Sequence, residues 1–493
     1  MNLGWALTLA LSKRAGRTLM VDDMRSYRGV DLLVAGMHVA AMVEAKSSSA
    51  RVGLLLPTTG AFGAVLYGVM LAGRTAVPLN YLLEQETLEY CIRDSGCDLV
   101  IASRKLVEHL GCEPRGARVV YLEDMDFRSV PVPRWPVCSG RDETAVVLYT
   151  SGTSGRPKGV MLTHGNLLSN VCQMRDHVGF GVDDRLLGVL PQFHSFGITV
   201  LTLLPMLRGC SVVYTARFNG ARVAELIAKH GATVYIGIPS MFGGILASKS
   251  AKREQFASVR LAISGAEPLP GDIRDRFLER FGIPICEGYG LTETSPVTNV
   301  LLPEDNKFGT VGRSVPGVRY RVVDPETGRD LGVDEDGELR ISGPNVMKGY
   351  LNLPEESAAA FDELGYFRTG DIGRIDPEGF VSITGRLKEM LIVGGENVFP
   401  REIEEVLNAH PAVHASGVVG REDPVRGEVP VGFVELEDGE SVSDDVLVRW
   451  CRERLAGYKV PKHIEIVDAL PRNPTGKVLR RELKKRLGEM AKA

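Results

Sequence analysis

Cysteine is sparse in this 493-residue chain. Its eight copies (Cys91, Cys97, Cys112, Cys138, Cys172, Cys210, Cys286, Cys451) are scattered, with no Cys-x-x-Cys pair. That excludes a disulfide framework or zinc ribbon and fits a reducing compartment such as the cytoplasm. An excess of one charge sign is also missing. The net charge is −4, so there is no basic field to hold nucleic acid in bulk. No hydrophobic run is long enough and unbroken enough to span a bilayer. Val52 to Gly73 carries no charge, but Pro57, Gly60 and Gly63 interrupt it; it reads as a buried strand, a turn and a core helix. At the N-terminus the basic residues follow the short apolar run, the wrong order for a signal peptide. A first amphipathic helix is expected there. No internal repeat is present.

The chain also lacks a Walker A loop. What it has instead is Tyr149 to Gly159, YTSGTSGRPKG. Lys158 follows Pro157, and no Ser or Thr follows the lysine, so the spacing departs from that of a P-loop NTPase. The chemistry still points to phosphate. Thr150, Ser151, Gly152, Thr153, Ser154 and Gly155 supply hydroxyls and free N–H groups, the glycines allow close approach, and Lys158 adds a cation. An apolar run, Ala145 to Leu148, leads into the loop as a strand. A flexible linker would not follow a buried strand so directly.

At this length two or more domains are expected. Through the first three hundred residues, short apolar strands (Asp98–Ile101, Ala145–Tyr149, Ser211–Tyr214, Thr233–Ile236, Arg260–Ile263) alternate with helical patterns (Arg222–His230, Gly271–Phe281). The fold class is therefore α/β: a large N-terminal domain of parallel-rich sheets flanked by helices. From about Gly309 to Ile383, short strands and Gly/Asp turns predict a β-rich subdomain. After Gly385 a small α+β C-terminal domain is expected, with helices over Pro400–His410 and Asp444–Leu455 and a basic helix at the end. The predicted division is 1–385, a hinge at 386–388, and 389–493.

Three further motifs suit nucleotide chemistry. In EGYGLTE (Glu287–Glu293), Gly288 and Gly290 flank Tyr289 so that its ring can meet a ligand; Thr292 offers a hydroxyl, and Glu293 a carboxylate suited to Mg²⁺ beside phosphates. In YFRTGD, Asp371 follows Thr-Gly and can accept a ribose diol. In NPTGKVLRR, Lys477 stands between a Gly turn and a helix, a mobile ammonium on a long stem.

With these motifs together, the chain resembles the acyl- and aryl-adenylating superfamily that includes acyl-CoA synthetases, luciferases and the adenylation domains of peptide synthetases. The resemblance covers nearly the whole chain in family order. It runs through YTSGTSGRPKG, PQFHSFG (Pro191–Gly197), SGAEPL (Ser264–Leu269), EGYGLTE, GELRISGPNVMKGY (Gly337–Tyr350), YFRTGD, GRLKEMLIVGGENVFPREIE (Gly385–Glu404), YKVPKHI (Tyr458–Ile464) and NPTGKVLRREL (Asn473–Leu483). It implies ATP, Mg²⁺ and coenzyme A as cofactors and co-substrates. The loop residues from Thr150 to Gly155, with Lys158, would hold the β- and γ-phosphates. Gly265, Ala266 and Glu267 would line the adenine pocket, with Tyr289 on the base. Thr292 would meet the α-phosphate, Glu293 would bind Mg²⁺, and Asp371 and Arg386 would hold the ribose. Lys477 would bridge carboxylate and α-phosphate, Lys388 would be the pivot, and Gly394 and Gly395 would line the pantetheine channel.

The acid pocket is expected near Phe193–Thr199, Ile236–Phe242, Ser264–Ala266 and Gly288–Val297, with His194 as its gate. No acidic residue lies between Gln192 and Thr199, which disfavours an amino-acid substrate. The motif set most resembles fatty-acyl ligases. The acceptor implied is CoA or a phosphopantetheinyl carrier protein, and an acyl-AMP ligase serving another enzyme is a further alternative. The basic tail (Arg480, Arg481, Lys484, Lys485, Arg486) is expected to be a solvated helix face. His410 and His414 are four apart, but Pro411 between them argues against a metal pair.

Overall fold

The structure, a computed structural model, describes residues 2–150, 156–305, 307–472 and 478–490. It forms two compact units. One comprises Met1–Ala266, Phe277–Arg319 and Ile341–Phe367; the other comprises Glu267–Arg276, Tyr320–Arg340 and Arg368–Ala493. The large N-terminal α/β domain and the smaller C-terminal α+β domain expected from the pattern are both present.

Two large sheets build the first unit. An eight-stranded sheet runs in the order Val297–Val300, Ile285–Gly290, Leu261–Ser264, Val234–Gly237, Arg185–Gly188, Ser211–Tyr214, Thr18–Val21, Ser26–Arg28. Its inner pairs are parallel, and the two edge pairs are antiparallel. A seven-stranded sheet runs Gly349–Tyr350, Lys158–Thr163, Thr144–Thr150, Thr75–Pro78, Arg51–Leu55, Leu99–Ala102, Arg118–Tyr121. Strands such as Leu99–Ala102 and Ser211–Tyr214 are buried along their whole length. That is why they read as short continuous apolar runs rather than as alternating patterns. Helix Gln85–Ser95 lays Leu88, Cys91 and Ile92 on the seven-stranded sheet, against Val77, Val100, Val147 and Leu351. Among the described residues no helix is long and apolar enough to cross a membrane.

The β-rich segment is a four-stranded sheet ordered Arg319–Val323, Gly337–Ser342, Phe367–Ile375, Val381–Arg386, its last pair antiparallel. In the C-terminal domain a long hairpin, Val413–Asp423 with Gly427–Leu436, pairs in parallel with His463–Val467 and carries helices Pro400–Asn408 and Asp444–Arg452.

The terminal helix, Arg480–Met490, is not solvated all round. Leu483 and Leu487 are buried. Arg480 reaches Glu389 and Glu404, each at 2.6 Å. Burial pushes the Glu404 carboxyl up, and Arg480 opposes that shift. Arg481, Lys484, Lys485 and Arg486 do face solvent. His410 and His414 serve local contacts: His410 Nδ1 accepts from the Ala412 N–H, and the His414 ring meets Glu437.

Candidate active site

The segment YTSGTSGRPKG connects two antiparallel strands of the seven-stranded sheet, Thr144–Thr150 and Lys158–Thr163, whose last pair is Thr150 opposite Lys158. Ser151, Gly152, Thr153, Ser154 and Gly155 lie outside the described residues. A loop closed by a hairpin delivers Lys158 back beside Thr150, a pairing the linear sequence does not display.

On the far side of the Lys158 strand runs Gly349–Tyr350, with Tyr350 opposite Val160. The Tyr350 ring lies 5.2 Å from Lys158 Nζ, and its hydroxyl donates to Glu293 Oε1 at 3.1 Å. The backbone N–H of Met347 donates to the Glu293 carbonyl at 2.7 Å. So the lysine of YTSGTSGRPKG and the carboxylate of EGYGLTE converge on one tyrosine. Burial, reinforced by Glu293, pushes the Tyr350 phenol well above its ordinary range, so it remains a donor.

Thr292 and Glu293 open a short 3₁₀ turn after strand Ile285–Gly290. Gly290 has to be glycine. A Cβ there would meet the Pro296 carbonyl oxygen at 2.0 Å as the chain doubles back. Ser295 takes a left-handed φ of 71° to make that return. Asparagines pin the returning segment: Asn345 Nδ2 donates to the Thr294 carbonyl at 2.8 Å, and Asn170 exchanges hydrogen bonds with the Val297 backbone. Tyr289 pairs with Asn299 across the sheet edge. Gly265 follows strand Leu261–Ser264, and Ala266 adopts a left-handed φ of 69°. An alanine held there is unusual and marks a backbone shaped by more than local preference.

In the second unit, Asp371 and Arg386 face each other on paired strands, with Arg386 Nε 2.9 Å from Asp371 Oδ1. The Asp371 carboxylate is buried, and the Asp371 N–H donates to Thr369 Oγ1. Lys388 sits in the turn directly after; desolvation, then Arg386, hold its ammonium below the usual lysine range. Gly394 and Gly395 form the two-residue turn of the hairpin Leu391–Val398, with φ of 63° and 90°. Positive φ at both turn positions explains why two glycines stand there. Lys477 lies outside the described residues.

His194 precedes helix Ser195–Ile198, which continues through a π-type turn, Thr199–Leu203. His194 is exposed at the surface, although neighbouring protein surrounds its ring closely. Desolvation lowers it to about 4, so it is neutral at pH 7. Its ring centroid lies 4.5 Å from that of Phe193, the two planes tilted at 56°, and Phe193 meets Tyr81 edge-on at 4.7 Å. Gln192 is buried: its Oε1 accepts from the Thr59 N–H, and its Nε2 donates to Thr202 Oγ1.

Tyr350, Asn345 and Asn170 were not singled out as site residues. The first two stand in GPNVMKGY, a segment whose resemblance was visible but whose partner, Glu293, is remote in sequence.

Residues 10–351 match the model of the AMP-binding enzyme family, and residues 402–477 match the AMP-binding enzyme C-terminal domain. The chain belongs to the AMP-binding enzyme family. This AMP-binding enzyme is similar to feruloyl-CoA synthase of Amycolatopsis sp, at 35% identity over 441 residues, 89% of either chain. It is similar in structure to ATP-bound MatB from Rhodopseudomonas palustris, with a TM-score of 0.89, 30% identity and 99% of both chains covered. It is also similar to o-succinylbenzoate CoA synthetase (MenE) from Bacillus subtilis in complex with the acyl-adenylate intermediate OSB-AMP, with a TM-score of 0.86, 30% identity, and 97% of this chain and 98% of that one covered. The protein is an AMP-forming acid–thiol ligase. It uses ATP to activate a carboxylic acid as an acyl-adenylate. The similarity spans aryl-acid CoA ligases and is not confined to fatty-acyl synthetases.

Proposed function

We propose that the substrate is an aryl-type monocarboxylic acid with no charged group besides its reacting carboxylate, and that the acceptor is CoA. The observation that carries the acid is the wall around His194. Phe193, His194 and Tyr81 form an aromatic run, and from Gln192 to Leu203 the ring of His194 is the one ionisable group. Because that ring is neutral at pH 7, this wall offers no cation for a second carboxylate and no anion for an amino group. The similarity to feruloyl-CoA synthase favours the same class. The fatty-acyl reading of the motifs is the competing one. CoA, rather than a carrier protein, is supported by the same relative and by the complete C-terminal segment from Gly385 to Glu404.

A carboxylate resists nucleophilic attack because the incoming electrons add to an existing negative charge. Joining it to AMP supplies a leaving group. In the proposed mechanism the carboxylate attacks the α-phosphorus in line and pyrophosphate departs. Both reactants are anions, so positioning and cationic stabilisation supply most of the rate. Lys158 and the loop from Thr150 to Gly155 hold the outgoing phosphates. Thr292 donates to the α-phosphate. Asp371, paired with Arg386, receives the ribose, and Tyr289 with Gly265, Ala266 and Glu267 holds the base. Lys477 bridges the carboxylate and the α-phosphate. Glu293 fits Mg²⁺: a single carboxylate, held 3.1 Å from the Tyr350 hydroxyl, suits a cation that takes most of its ligands from phosphates and water. Bound there, the ion would neutralise charge on the triphosphate. His194 gates the acid pocket.

For the thiol step, we assign residues 389–493 as a body that turns about Lys388, with 1–385 fixed. The turn withdraws Lys477 and presents the Gly394–Gly395 turn to pantetheine. The test is a pyrophosphate-release screen over alkyl, aryl and dicarboxylic acids, with and without CoA. Aryl monoacids giving the highest kcat/KM and a CoA-dependent thioester support the reading. Turnover confined to long alkyl acids overturns the acid, and release with thioester formed only on a holo-carrier protein overturns the acceptor.

A further inference from the structure

Helix Gln85–Ser95 sends one carboxylate toward the hairpin of the phosphate loop. Asp94 Oδ2 accepts the Tyr149 hydroxyl at 2.6 Å. Asn352 Nδ2 donates to the Asp94 backbone carbonyl at 2.8 Å and lies 3.4 Å from Oδ1. These two partners flank the Lys158 strand. Tyr149 is opposite Gly159 on one side, immediately before Thr150. Asn352 follows Tyr350, which is opposite Val160 on the other side. Between them the Leu351 N–H donates to the Gly159 carbonyl at 2.7 Å. The Tyr149 ring lies on Gly159, where an added Cβ would sit 3.3 Å from Tyr149 Cζ. Asn352 holds a left-handed φ of 58° in making its contact.

Packing of the helix on the sheet does not call for this carboxylate. Leu88, Cys91 and Ile92 already bury that face, and Asp94 stands at its edge. Asp94 instead ties both neighbours of the Lys158 strand to one rigid helix end. We infer that Asp94 is a positioning residue for the triphosphate, holding Tyr149 and Asn352 so that Thr150 and Lys158 are presented together to the β- and γ-phosphates. This rests on the phosphate reading of Lys158 given above.

Tyr149→Phe keeps the ring on Gly159 and removes only the hydroxyl. Asp94→Asn keeps an acceptor for it. KM for ATP is measured by acid-dependent pyrophosphate release, KM for the acid is measured in the same assay, and thiolysis of isolated acyl-adenylate by CoA is measured separately, since that intermediate has no β- or γ-phosphate. Loss of one hydrogen bond to a charged group predicts about a tenfold rise in KM for ATP in Tyr149→Phe. KM for the acid and the thiolysis rate should be unchanged, and Asp94→Asn should lie closer to wild type. An unchanged KM for ATP in Tyr149→Phe overturns the inference. So do parallel losses in KM for ATP, KM for the acid and thiolysis accompanied by a lower Tm, the mark of a merely structural role. Lys158→Ala separates the two readings. If it raises KM for ATP while Tyr149→Phe does not, the Asp94 inference falls alone; if it leaves KM for ATP unchanged, the phosphate reading falls.

Discussion

Tyr350→Phe probes the junction where the Lys158 and Glu293 motifs meet. The substitution removes the hydroxyl that donates to Glu293 Oε1 and leaves the ring 5.2 Å from Lys158 Nζ. A hydrogen bond to a charged group contributes about 1.5–3 kcal/mol. At 3.1 Å this one is long for a hydroxyl on a carboxylate, so the lower end applies, about a tenfold effect. The phenol stays protonated because burial and Glu293 both raise it, so the effect should not vary with pH across the neutral range. Without the hydroxyl the Glu293 carboxylate can swing away from the phosphates. The variable to read is therefore Mg²⁺ dependence: pyrophosphate release against free Mg²⁺ at saturating ATP and acid. The half-saturating Mg²⁺ concentration should rise by about tenfold, with a smaller change in kcat at saturating Mg²⁺. Glu293→Gln should show a larger shift of the same kind. A Tyr350→Phe enzyme with wild-type Mg²⁺ and ATP dependence would refute the proposed role of this contact.

Lys477→Ala should slow adenylation by roughly 10²–10³, while thiolysis of preformed acyl-adenylate persists; equal loss in both half-reactions would remove the lysine from its role. Lys388→Pro should fix the backbone at the pivot and impair the thiol step selectively, seen as acyl-adenylate accumulating in rapid-quench assays. Arg480→Ala leaves Glu389 and Glu404 facing each other without their cation, and should cost the C-terminal domain about 3 kcal/mol in denaturant melts. His164 is buried, with Nδ1 accepting from the Leu3 N–H; desolvation lowers its ring from 6.5 to about 4. Between those values the unfolded chain binds the extra proton, so stability should fall as pH drops through that window, by up to about 3 kcal/mol. His164→Gln should flatten that part of the curve of Tm against pH.

The strands were legible where burial on both faces produced a closed apolar run between turns. Ser211–Tyr214 and the helix Gly271–Phe281 have the bounds their patterns suggested. Pairing was less legible. Strand–helix alternation speaks for parallel neighbours, yet Thr144–Thr150 and Lys158–Thr163 form an antiparallel hairpin, because so short a connection cannot make a parallel crossover. Candidate site residues carried by local motifs stand out in the sequence as types: a glycine pair, an acid after Thr-Gly, a lysine after a small-residue loop. Contacts over long sequence distance do not. Tyr350 with Glu293, Asp94 with Tyr149, and Arg480 with Glu389 join segments that only the fold brings together. The Gln192 amide, bonded to Thr59 and Thr202, is another contact that the linear sequence does not display.

The most direct test of the central chemistry is ATP–pyrophosphate exchange. The purified enzyme is incubated with ATP, Mg²⁺, labelled pyrophosphate and a series of carboxylic acids, without CoA. Reversible formation of a bound acyl-adenylate predicts that label enters ATP only when a cognate acid is present, and that adding CoA drains the exchange into thioester and AMP. Nucleotide turnover giving ADP and orthophosphate, with no acid-dependent exchange for any acid, would contradict it.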